Sequence, residues 1–183
     1  MIDELLVRCC APTLAGLKTG SIFACPYESR PSLLAELRRL NRALSPRGLR
    51  LAPLRFGLRR ALLYLFRPAE LERDLNGCCA REILSEAGYG ELCCAKCLQC
   101  LIRRLQGGGD FPHEIGLFLS YPPEDVRGFI DNKAKNYKLS GQWKVYGDES
   151  RALALFEKYR KCTQSYCAFF QAGFGVERLA VAL

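Results

Sequence analysis

Two apolar runs, residues 49–54 and 61–66, flank a polar turn around Gly57 and Arg59-Arg60, and this pattern constrains the fold more than any other. Runs of that length bounded by turn residues fit paired strands, and the spacing predicts a β-hairpin with a loop longer than two residues. Just before it, Leu33, Leu37, Leu40 and Leu44 recur at helical spacing while Arg38, Arg39 and Arg42 fall on the other side. That is an amphipathic helix over residues 32–44. A helix laid beside a hairpin buries both apolar faces, which is the simplest layered solution.

The rest of the chain supplies more helices than strands. Residues 21–25 form a short strand ended by Pro26. Pro12 suits the first turn of a short helix stopped by Gly20, because its missing N–H has no partner there anyway. Pro68 opens a helix with Glu70 and Glu72 near its positive end, Gly77 closes it, and a second short helix follows through Ile83 and Leu84 to Gly88. A third covers residues 91–106, with Cys94, Leu98, Leu101 and Leu105 on one face. Gly107-Gly108-Gly109 then marks a hinge or subdomain boundary.

Beyond it the pattern predicts a buried strand over 115–119, a helix from Pro122-Pro123 toward Lys135, and a strand over 143–146. A long helix starts after Asp148, with Ala152, Leu155, Phe156, Tyr159, Cys162, Tyr166 and Phe170 on one face, and an edge strand ends the chain over 176–183. Strands in irregular order among helices imply an α+β single domain with a mixed or mostly antiparallel sheet covered by helices.

At 183 residues with 49% hydrophobic side chains, the chain is long enough to bury a core without cross-links. It lacks the long apolar run of a membrane span, and its first residues carry acids where a signal peptide carries bases. A cytoplasmic protein with no membrane partner is the expectation. Eleven cysteines, an odd number, are then expected as thiols. The net charge of +8 permits an anionic partner without requiring one.

Three blocks identify a lineage: CAPTLAGLKTGSIF near the start, FPHEIGLFLSYPPEDVRGFI in the middle, and QWKVYGDES followed by YRKCTQSYC. Together with LRRLNRAL and GLRLAPLR they resemble the bacterial domain of unknown function 3793 family over nearly the whole chain. The resemblance implies no activity, though it points to a flavodoxin-like redox partner. The family pattern usually has glycine where Ala134 stands, and often histidine where Cys9 stands.

Cys10, two residues before Pro12, is expected just outside a helix amino terminus. The helix dipole there would stabilise a thiolate for attack or metal binding. The competing reading is a small residue packed in the core. His113, the only histidine, is the acid–base candidate, beside Glu114. On a strand those two neighbours face opposite ways and do not cooperate directly. Cys10 and His113 are thus the catalytic pair to test, with Glu114 as a further carboxylate and Lys18 as an anion contact.

Cys10, His113, Cys162 and Cys167 would make a Cys3His metal set, although residues five apart on one helix are not a typical chelating pair. Cys94, Cys97 and Cys100 match three ligands of an iron–sulfur run, but the fourth is absent and helix packing accounts for them. A metal or redox cofactor therefore belongs to the thiol reading, a thiol-dependent enzyme or redox or cofactor-handling protein. A different class rests on residues 127–146. There Arg127, Lys133, Lys135, Lys138 and Lys144 interleave with Phe129, Tyr137, Trp143 and Tyr146. Cations and rings in that order suit nucleic acid or another anionic partner, and a solvated helix end over a packed core is the plain alternative.

Overall fold

The computed structural model describes residues 2–90, 93–107 and 109–183. These group into two compact units, one of residues 1–69 with 161–183 and the other of residues 70–160. The fold is α+β with small antiparallel sheets. The expected boundary at 107–109 includes Gly108, which lies outside the described residues.

The first unit is built on the hairpin. Strands β1 (Gly20–Pro26), β2 (Arg50–Phe56) and β3 (Arg60–Phe66) form a sheet in the order β1-β3-β2, antiparallel throughout. Phe23 and Pro53 both lie opposite Leu63. An extra residue, Leu54, enters β2 between Pro53 and Arg55; an edge strand tolerates both a bulge and a proline, whose missing N–H a central ladder would need. Helices α1 (Ile2–Leu14) and α2 (Arg30–Leu44) pack on this sheet. Ser29 caps α2 by accepting from the Ser32 N–H at 3.2 Å.

Helix α1 corrects the reading of Pro12. The helix begins ten residues earlier, and Pro12 sits in its last turn. Ile2, Leu6, Cys10 and Leu14 stand four apart and are all buried in the core. That periodicity becomes visible once cysteine is counted as an apolar residue. The chain end is likewise not an edge strand: α9 (Val176–Leu179) forms one turn against α1, and the Val181 N–H donates to the Leu14 carbonyl at 3.0 Å. Arg67, 2% exposed, gathers these ends, donating to the carbonyls of Thr13, Leu14, Val181 and Arg47 at 2.8–3.2 Å. Arg67 thereby satisfies the Thr13 and Leu14 carbonyls, which a helix end leaves open.

The second unit comprises α4 (Cys78–Glu86), α5 (Cys94–Gln106), α6 (Ile115–Phe118), α7 (Pro123–Asp131) and the ribbon β4 (Leu139–Ser140) with β5 (Lys144–Val145). Helices α3 (Pro68–Leu75) and α8 (Glu149–Gln171) contain the cuts between the units. As expected, Asp148 caps α8, accepting from the Arg151 N–H at 3.0 Å. Residues 115–119 are not a strand. They make a helical turn, α6, buried on all sides, and a short run that is apolar throughout carries no period that separates the two. On α5 the buried cysteine is Cys97 rather than Cys94, whose side chain is half-buried at the helix start.

Candidate ligand-binding cleft

The family block around residues 111–146 folds around a cavity of about 380 Å³ in the second unit. One wall depends on Asp125. It lies in the first turn of α7, where an acid is favoured by the dipole, and it is 3% exposed. Its carboxylate accepts from Trp143 Nε1 at 2.7 Å and from the backbone N–H groups of Tyr146 at 2.7 Å and Gly147 at 2.8 Å. Three donors compensate the burial of one carboxylate. They also fix the indole, which stacks on Tyr121 at 4.9 Å and 28° and meets the edge of Phe156 at 4.5 Å and 79°.

Two glycines make this packing possible. A Cβ on Gly116 would stand 2.7 Å from a methyl of Val126, and one on Gly141 would collide with the Phe156 ring. Glycine at these sites lets α6 approach α7 and lets the β4–β5 turn cross the aromatic cluster.

The other wall is aromatic and cationic. The His113 ring lies 5.0 Å from Phe129 and 5.7 Å from Phe111. At the rim, Lys144 Nζ donates to the Ala134 carbonyl at 2.8 Å and stands 4.6 Å from the Tyr137 ring centre and 5.9 Å from that of Phe129. The ammonium is thus held in place with one of its three donors used. Its acceptor comes from an unusual helix end. The N–H groups of Lys133 and Ala134 reach back to Ile130 and Phe129, and Lys133 and Ala134 have φ of 49° and 62°. Glycine is the usual residue in that left-handed conformation, and here Ala134 adopts it.

The structure distributes the sequence candidates unevenly. His113 and Lys144 line the cleft together. Glu114 is buried and accepts from the Tyr89 hydroxyl and Arg104 Nε, both at 2.9 Å, so its carboxylate is committed to these partners. Burial, with Glu114 second, pushes the Tyr89 hydroxyl pKa up. Lys133, Lys135 and Lys138 are exposed, and Lys138 Nζ donates to the Gly147 carbonyl at 2.9 Å.

Cys10, Lys18, Cys162 and Cys167 belong to the first unit, whereas His113 belongs to the second. Cys10 lies inside α1 rather than before a helix start, so the dipole argument for its thiolate does not apply. It is fully buried, and burial pushes its thiol well up, with Cys9 adding to the effect and Lys18 opposing it. Burial also lowers the half-buried Lys18 ammonium to about 8. All eleven cysteines are free, and among the described residues no group of three or more His, Cys, Asp and Glu side chains could hold a metal ion.

Asp125, Tyr121 and Gly141 were not singled out by sequence. Asp125 reads there as an ordinary acid at a helix start, and its partners are eighteen or more residues away.

A family model described as a protein of unknown function, DUF3793, matches residues 6–180. The chain belongs to the DUF3793 family. No curated protein and no solved structure matches it. The DUF3793 match takes in both units and every residue of the cleft. No helix among the described residues is long and apolar enough to cross a membrane.

Proposed function

We propose that the second unit of this DUF3793 protein is a binding module for a flat heteroaromatic anion of nucleotide type. The observation that carries the proposal is Lys144, a cation fixed at the rim of an aromatic cavity between the Tyr137 and Phe129 rings. The cavity has the size of a small-molecule site, with apolar walls and few polar groups. A ring inserted beside Phe129 and Trp143 stacks, while its phosphate meets Lys144 and His113. Asp125 retains acceptor capacity for an amino group on the ring, because a carboxylate accepts about four hydrogen bonds and three are used. A thiol-dependent reaction has less support, since a buried thiol with a raised pKa stays protonated at neutral pH.

Trp143 is the only tryptophan and lines the cleft, so its fluorescence reads the site directly. Titration with adenosine monophosphate and with guanosine monophosphate is expected to quench it saturably, with the affinity falling as salt rises. Lys144→Met should weaken binding roughly tenfold. No change in emission with either nucleotide, or quenching that Lys144→Met leaves intact, refutes the proposal.

A further inference from the structure

The tip of the β2–β3 hairpin, in the first unit, carries a separate arrangement. Leu58 at its apex is 102% exposed, more than any other large apolar side chain among the described residues. A single exposed leucine is ordinary on a protein surface, but this one is presented by a fixed loop. The Tyr27 hydroxyl donates to the Gly57 carbonyl at 2.5 Å, the Tyr27 N–H donates to the Arg59 carbonyl at 3.3 Å, and the Gly57 N–H donates to the Arg60 carbonyl at 2.9 Å. The Tyr27 ring also meets Phe56 edge-on at 5.9 Å.

Arginines surround this apex. Arg55, Arg59 and Arg60 are exposed, and the exposed Arg30 places its guanidinium 5.0 Å over the Phe56 ring. Among the described residues none of the four is in an ion pair. Glu28 is the acid closest to them in sequence. Arg30 also opens α2, whose first turn holds no acid. A cation at that end opposes the helix dipole, and an external anion would relieve the opposition.

We propose that this tip docks on an anionic lipid surface, with Leu58 entering the boundary between head groups and acyl chains while Arg30, Arg55, Arg59 and Arg60 engage lipid phosphates. Arginines alone would suit nucleic acid equally. A rigidly presented aliphatic side chain at the apex, with bases behind it, suits a bilayer interface and gives a polynucleotide nothing to bind. The contact is peripheral and requires no spanning helix. The net charge of +8 adds longer-range attraction to an anionic leaflet.

Sedimentation of the full chain with vesicles of phosphatidylcholine, with and without about 30 mol% phosphatidylserine, tests this. Binding is expected only with the anionic lipid, and it should weaken at high salt. Leu58→Ser should lower the partition coefficient roughly tenfold, and the pair Arg59→Glu with Arg60→Glu about a hundredfold or more. Leu58 is fully exposed, so its variant should keep the native circular dichroism spectrum. Failure to sediment with anionic vesicles overturns the proposal, as does binding that Leu58→Ser leaves unchanged. Arginine-dependent binding of a labelled single-stranded oligonucleotide in the absence of vesicle binding assigns the tip to nucleic acid instead.

Discussion

Replacing Asp125 with asparagine tests how the cleft is held together. The amide oxygen of Asp125→Asn can still accept from the N–H groups of Tyr146 and Gly147, which now share Oδ1. Its NH2 group must then point at Trp143 Nε1, the donor that now gives to Oδ2 at 2.7 Å. A charge-assisted bond is replaced by two opposed donors at a buried site. The lost bond is worth about 1.5–3 kcal/mol. Weakening the two remaining bonds from charged to neutral adds roughly 1 kcal/mol. The second unit should therefore lose about 3 kcal/mol, and the freed indole should change its emission. Urea unfolding followed by tryptophan fluorescence measures both, because Trp143 is the only tryptophan. A double-mutant cycle with Trp143→Phe, read by circular dichroism, isolates the Asp125–Trp143 pair and should return a coupling above about 1 kcal/mol. A loss under 1 kcal/mol, or no coupling, would show that the carboxylate does not organise the wall.

Arg67→Met keeps the buried stem but removes a donor from four carbonyls, of which those of Thr13 and Leu14 keep a backbone N–H, so the first unit should lose about 3 kcal/mol in chemical denaturation. Lys133→Gly should do the reverse: removing a Cβ from a residue at φ 49° is expected to raise stability by about 1 kcal/mol, and an unchanged midpoint counts against strain there. Lys18 gives a pH signature. Its folded pKa of about 8 lies below the ordinary 10.5, so between these values the unfolded chain holds a proton that the folded chain has released. Stability from this group therefore rises with pH above 8. The raised Cys10 thiol acts in the opposite sense above its ordinary 9.0. Denaturation midpoints should climb from pH 8 to 9 and then level or fall, and Lys18→Met should abolish the climb. In native protein, iodoacetamide should label the exposed Cys9, Cys78, Cys79 and Cys93 while sparing Cys10, Cys25 and Cys97 until urea is added; rapid native labelling of Cys10 would restore the reactive-thiol reading.

Elements with a clear apolar period, or with apolar runs bounded by turn residues, were legible in the residues alone. The leucines of α2 and the long face of α8 each have a period that fits one structure, the apolar runs of the hairpin are bounded by turn residues, and all three formed as expected. The sequence also placed the Asp148 cap and the family lineage, because both are written in contiguous residues. Short segments were different. Residues 115–119 are too brief and too uniformly apolar to show a period, and 176–183 are too brief to show one, so packing decided that 115–118 and 176–179 form helical turns. Pro12 misled because proline is tolerated at either end of a helix when packing favours it, and the Ile2-Leu6-Cys10-Leu14 face supplied that packing. The cleft was half legible. Its rings and lysines could be counted along the chain, but Asp125 meets Trp143, and Lys144 comes to stand near the Tyr137 and Phe129 rings, only in the folded chain. Those contacts join residues far apart in sequence, and no local pattern encodes them.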